Sequence, residues 1–168
     1  PAYNVITFGN IDDQGDASRS NDVIRSSSSR GPTGDGRLKP DIAAPGTEIM
    51  ACLNTWTPGN EWISETGTSY AAPHISAAVL LTKGFMGFES SDETNMALAI
   101  KAELLNTAED VSAGEPGPDF TYGYGYVDLY QAYLHRNDVV TGSLNTGQPD
   151  FYKFVASSEH TATLVYNR

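Results

Sequence analysis

The chain has 168 residues, enough to bury one good core or one domain with part of a second, and its 39% hydrophobic and 18% charged residues describe a globular composition. A formal net charge of −11 argues against a nucleic-acid partner, because a polyanion would be repelled. No apolar stretch is long enough to span a membrane, and a lone cysteine, Cys52, excludes an internal disulfide framework.

The first element, residues 5–8, is a short apolar, β-branched run before Gly9-Asn10 and reads as a buried strand. Residues 11–36 are polar and turn-rich, a surface loop or loosely ordered strand that Arg30-Gly31-Pro32 ends sharply. Ile42-Ala43-Ala44 leads into Pro45-Gly46, and residues 48–53 form a second strand candidate. Cys52 lies in that apolar run and is expected to be a buried small hydrophobe, not a reactive thiol. Residues 56–66 place Pro58-Gly59-Asn60 between two Trp-containing arms, as in a hairpin.

Residues 68–86 carry Ala72, Ile75, Ala78 and Val79 at helical spacing, and the many alanines imply close packing on a central helix. Pro73 is placed near the start, where a missing N–H costs least. A second helix is expected over 94–108, with Ser91 or Asp92 as cap, and a short third from Asp128 to about His135. Composition changes after Asn137. Residues 151–155 and 161–166 alternate like two strands, which puts a domain boundary near 137–141. The chain opens at Pro1 without Met and is expected to be a piece of something longer.

The strongest chemical signal is Gly67-Thr68-Ser69-Tyr70-Ala71-Ala72-Pro73-His74. A glycine before the helix lets the backbone turn tightly and leaves Ser69 at a helix N-terminus. Unsatisfied N–H groups and the helix dipole face the same space, where they would stabilise charge developing on an attacked carbonyl oxygen. That is the logic of a serine nucleophile, although on Gly-Thr-Ser alone a plain helix cap by Thr68 or Ser69 is the preferred reading, since caps are far commoner.

The wider pattern decides between them. Gly67-Thr68-Ser69-x-Ala71-Ala72-Pro73-His74 resembles the nucleophile signature of the subtilisin-like (subtilase) serine peptidases. Ser28-Ser29-Arg30-Gly31-Pro32 and Lys39-Pro40-Asp41-Ile42-Ala43-Ala44-Pro45-Gly46 are similar to the two segments that precede it in that family. Val5-Ile6-Thr7-Phe8-Gly9 looks like the strand before them, and Tyr122-Gly123-Tyr124-Gly125-Tyr126-Val127-Asp128 like the closing turn. The matches stand in family order across residues 1–137.

The resemblance implies an α/β fold of three layers, a mostly parallel sheet with helices on both faces, incomplete in this chain. Residues 138–168 would be a linker and the first strands of a truncated β-sandwich-like module. It implies a secreted endopeptidase that acts on polypeptides through an acyl-enzyme on Ser69, supported by Gly67 and Thr68, with Glu65 and Tyr70 edging the cleft. Tyr70 replaces the methionine commonest there. The family orders its triad Asp, His, Ser. His74, His135 and His160 all follow Ser69, so the base, its Asp and the oxyanion asparagine are expected upstream, in the other half of the same catalytic domain. His74 is also about 140° around the helix from Ser69 and is better read as structural, bonded to buried groups. Asp12, Asp13 and Asp16 look like a solvated turn, and neither Asn4 nor Asn10 sits in the oxyanion motif.

No organic cofactor is implied. Some family members hold a structural calcium ion, but no second carboxylate accompanies Asp41 at metal spacing, so Asp41 is expected to bond turn N–H groups. Trp56 and Trp62 would line the leaving-group side or pack the hairpin. Two other readings stand beside the peptidase: a binding or surface protein on a scaffold that lost its His or Asp, and a self-standing interaction module.

Overall fold

The structure, a computed structural model, describes residues 5–87, 93–111, 116–143, 145 and 162–165. Its central sheet has the strand order β2-β1-β3, with β1 at Phe8–Asp12, β2 at Val23–Ile24 and β3 at Ile42–Pro45. β1 runs parallel to β3 with Phe8 opposite Ile42 and Ile11 opposite Pro45, and antiparallel to β2 with Ile11 opposite Ile24. Residues 122–127 continue the sheet beyond β3. The Tyr124 N–H donates to the Asp41 carbonyl, Ala43 N–H to Gly125, and Val127 N–H to Ala43, at 2.8, 2.8 and 3.0 Å. Gly123 is required there. Its φ is +68°, and a Cβ would stand 2.5 Å from the Asp41 backbone.

The first strand begins later than its sequence suggests. Only Phe8 of residues 5–8 lies in β1, and Val5 is exposed. The Thr7 carbonyl accepts from the N–H groups of Asp41 and Ile42, so this entry segment is tied to the start of β3 instead of pairing along it. The polar stretch that follows is more ordered than a loop. It holds β2 and one 3-10 turn at Arg19–Asn21, and buries Asp22, Ile24 and Ser28.

β4 (Ile49–Thr57) and β5 (Asn60–Glu65) form an antiparallel hairpin that turns at Pro58-Gly59. Alternation places Met50, Cys52, Trp62 and Ser64 on one face, where Met50 is opposite Ser64 and Cys52 opposite Trp62. That face is open: Met50, Cys52 and Trp62 are exposed, while Ile49, Ala51, Leu53 and Ile63 are half-buried. The expected burial of Cys52 therefore fails. A two-stranded hairpin covers one face only, and Cys52 points from the other.

α1 spans Thr68–Met86 and ends at Gly87 in the left-handed region. Pro73 stands beyond the first turn, so the carbonyl of Ser69 loses the N–H it would otherwise bind. Ala71, Ile75, Ala78 and Thr82 form the buried side of α1, which packs on β1 and β3 and on α2 and α3. α2 (Glu93–Asn106) supplies Ile100, Leu104 and Leu105 to the same core. α3 (Leu129–His135) is capped by the Asp128 carboxylate, which accepts from the N–H groups of Tyr130 and Gln131 at 2.9 and 3.0 Å. The proposed caps Ser91 and Asp92 and the strand at 151–155 lie outside the described residues. Of 161–166, residues 162–165 are described and carry no strand pairing, while the Thr163 hydroxyl donates to Asn106 Oδ1 at 2.9 Å.

Asp41 knits these parts together. Its Oδ2 accepts from the Thr7 N–H at 2.6 Å, the Thr7 hydroxyl at 2.8 Å and Lys39 Nζ at 2.5 Å, and Lys101 of α2 approaches Oδ1 at 3.4 Å. Both lysines also donate to the Val5 carbonyl at 3.3 Å. Burial pushes the Asp41 carboxyl up, but Lys39, Thr7 and Lys101 together outweigh it and hold the pKa below its ordinary value.

Candidate active site

Ser69 is the second residue of α1 and is exposed, as is Thr68. What precedes the helix is held from below. The Gly67 N–H donates to the Gly46 carbonyl at 2.8 Å, and the Gly67 carbonyl accepts from the Tyr70 N–H at 2.9 Å. Gly46 in turn donates to the Ile11 carbonyl at 3.1 Å, so the loop is fastened through the end of β3 to β1. No side chain fits at Gly46: a Cβ would stand 2.6 Å from Asn10 Oδ1, 2.7 Å from the Gly67 carbonyl oxygen and 3.0 Å from the Ala71 nitrogen. With Gly67 and Tyr70 engaged, the N–H groups of Thr68 and Ser69 are those that a first helical turn leaves without an acceptor. Both belong to the helix end that carries Ser69, where a positive dipole and free donors can receive an oxyanion.

Glu65 ends β5 opposite Ile49 and is half-buried, as is Tyr70. The Tyr70 carbonyl accepts from His74 Nδ1 at 2.9 Å, one turn along α1. His74 thus bonds to backbone, but its ring is exposed and not enclosed. His135, the last residue of α3, pairs with Asp138 at 2.9 Å. Among the described residues no histidine or carboxylate hydrogen-bonds Ser69. Asp12 pairs with Arg25, Asp13 accepts from the Gly15 N–H, and Asp16 accepts from the Ser18 N–H and from Asn21. Asn21 and Ser18 lower the pKa of Asp16. These three form a braced surface turn. Asn4, His160 and the side chain of Trp56 lie outside the described residues.

The sequence offers no signal for Thr47, places Gly46 only at the end of the segment 39–46 and leaves Asn10 outside the oxyanion motif, yet all three are buried beneath the loop before Ser69. The signal present was Asn10 itself, an amide between Gly9 and Ile11 in an otherwise apolar strand.

The description "Subtilase family" matches residues 1–125. The Minor extracellular protease Vpr of Bacillus subtilis (strain 168) is 36% identical over 125 residues, which are 71% of this chain and 15% of that protein. Serine protease AprX of the same strain is 40% identical over 79 residues, 41% of this chain and 18% of that protein. Among solved structures, the CspB protease of Clostridium perfringens superposes with a TM-score of 0.61 at 25% identity, over 81% of this chain and 27% of that one. Fervidolysin from Fervidobacterium pennivorans does so with a TM-score of 0.58 at 25% identity, over 85% and 20%. The chain belongs to the subtilase family, and its fold is α/β. It spans less than a fifth of the length of the two curated relatives named.

Proposed function

We propose that the protein carrying this chain is a serine endopeptidase and that Ser69 is its nucleophile. The observation that carries this reading is the presentation of Ser69: an exposed residue at the start of a 19-residue helix, behind a loop fixed by the Gly46–Gly67 hydrogen bond, with the N–H groups of Thr68 and Ser69 finding no acceptor among the described residues. In the reaction, Ser69 Oγ bonds to the scissile carbonyl carbon while a general base takes its proton. The C–N bond then breaks, the base returns that proton to the leaving amine, and water hydrolyses the acyl-enzyme. Gly67 shapes the loop, Thr68 and Ser69 supply oxyanion donors, and Glu65 and Tyr70 edge the cleft.

The base, its orienting aspartate and a side-chain oxyanion donor come from the upstream half of the same domain. α1 supports that arrangement because it exposes large apolar side chains away from its buried side. Opposite its buried side, Pro73, Ala77, Leu80 and Leu81 are exposed, Leu80 by 69% and Leu81 by 57%. Large apolar side chains on that side call for cover from the rest of the domain. The completed domain is a three-layer structure with a mostly parallel sheet and helices on both faces. Residues 138–168 lead into an accessory module. No cofactor takes part, and Asp41 holds no cation, because two ammonium groups already stand against its carboxylate. Polypeptides are the substrates, and the protein acts outside the cell.

The test is substitution in the full-length protein. Ser69→Ala is expected to remove peptide-bond hydrolysis while leaving the thermal melt unchanged. Full activity in that variant would refute the assignment.

A further inference from the structure

The centre of β1 carries an amide where an aliphatic side chain would pack without cost. Asn10 has no exposed surface, its backbone N–H donates to the buried Ser28 hydroxyl at 3.0 Å, and its carbonyl accepts from the Arg25 N–H at 2.9 Å. The side chain leaves the sheet toward the nucleophile loop. Oδ1 accepts from the Thr47 hydroxyl at 3.2 Å, and Thr47 is itself 4% exposed. Nδ2 is buried without a partner among the described residues. Burying such a group is unfavourable, so its retention asks for a role that an apolar residue could not fill.

The neighbours point to that role. The same Oδ1 lies where a Cβ on Gly46 would fall, and so does the carbonyl oxygen of Gly67. Gly46 is therefore packed between the Asn10 amide on one side and the backbone of Gly67 and Ala71 on the other. The Asn10–Thr47 bond fixes the residue after Gly46, the Gly46 N–H is fixed on Ile11, and the Gly46 carbonyl holds the N–H of Gly67, two residues before Ser69. We propose that Asn10 is a positioning residue for Ser69, acting through Thr47 and Gly46 on the loop that presents the hydroxyl. The inference rests on Ser69 being the nucleophile.

Its test is the reaction of the full-length protein with a fluorophosphonate, in which Ser69 Oγ bonds to phosphorus, fluoride leaves, and the serine proton passes to the base. Saturation kinetics separate the maximal rate of labelling from the apparent affinity for the probe. Thr47→Val, which removes only the donor, is expected to lower the maximal rate about tenfold with affinity within about twofold, since small displacements of a nucleophile are costly. Thr47→Ser restores the wild-type rate. Asn10→Ala reproduces the loss, and the double variant is no slower than the slower single variant, because both act through one contact. A stability role alone would move the melting temperature and leave the rate per folded molecule intact. If Asn10→Ala does not fold, the Thr47 pair decides the question. Wild-type rates in folded Thr47→Val, a loss confined to affinity, or multiplying losses in the double variant would each overturn the proposal. Labelling of the wild type at a residue other than Ser69 would remove the nucleophile and the proposal together, and that failure shows before any variant is made.

Discussion

Asp41 and Glu103 are buried carboxylates with opposite consequences. Asp41 balances Lys39 and Lys101, so Asp41→Asn would leave two ammonium groups sharing a buried site with no counter-charge. We expect a loss of about 3–5 kcal/mol, measured by urea unfolding of the full-length protein at neutral pH. Because the folded-state pKa is lowered, this stabilisation is present above the unfolded-state pKa and fades as pH falls through the folded one. Glu103 has 3% of its surface exposed, and its Oε1 has no partner among the described residues. Burial raises its pKa from 4.5 to about 7, with His135 opposing and Asp138 reinforcing the rise. The folded protein then binds a proton that the unfolded chain releases, so stability falls as pH rises from about 4.5 to about 7. Glu103→Gln should flatten that decline and add roughly 3 kcal/mol at pH 8 relative to pH 4, since each pH unit separating the folded and unfolded pKa values is worth about 1.4 kcal/mol. Equal pH profiles for the two proteins would show that Glu103 does not remain protonated. The sequence marked Asp41 as a carboxylate bonded to turn N–H groups, because no second carboxylate accompanies it at metal spacing. It did not reveal Lys101, sixty residues away, because ion pairs across elements leave no local pattern. Glu103 was equally hidden, since a glutamate in a helix ordinarily faces water.

At the scale of elements, the clearest reading was α1, whose bounds at 68–86 are the same in sequence and structure. Nineteen residues give the 3.6 period five turns in which to show itself. Ala78, with 1% of its surface exposed, sits on the buried side of α1 in the core that also holds Ile42, Ala44, Ile100 and Leu104. Ala78→Leu is expected to overpack that core and cost about 1–3 kcal/mol, again measured by unfolding of the full-length protein. Equal stability would mean that the side yields to added volume. Short strands were less legible. The apolar run at 5–8 contributes only Phe8 to β1, because hydrogen bonding to β3 sets where a strand begins, not the apolar run alone. β2 has two residues, too few for any period. Within β4 the apolar stretch hid an alternation: a strand in a two-stranded hairpin turns every second side chain outward, and Cys52 and Met50 are those side chains.

For the molecule as a whole, the motifs around Ser69 were legible because they are local. Gly67-Thr68-Ser69 declares a tight turn and a helix start within a few residues. The fastening beneath it was not, since Gly46 and Asn10 lie 23 and 59 positions before Ser69 and are brought there by β1 and β3. The exposed Leu80 and Leu81 on the open side of α1, with Met50 and Trp62 on the open hairpin face, predict how these 168 residues behave by themselves. Expressed alone, they should bind a hydrophobic dye and melt without a sharp transition. A cooperative melt with dispersed amide resonances would show that the apolar side of α1 needs no cover.

The most direct measurement for the central claim is labelling of the full-length protein with a fluorophosphonate, followed by mass-spectrometric mapping of the modified peptide. A positioned base and oxyanion donors are both needed to make a serine hydroxyl react in this way near neutral pH. The account predicts one adduct, on Ser69, that is absent from Ser69→Ala, and no adduct on the 168-residue chain alone. An adduct on any other serine, or undiminished labelling of Ser69→Ala, would contradict it.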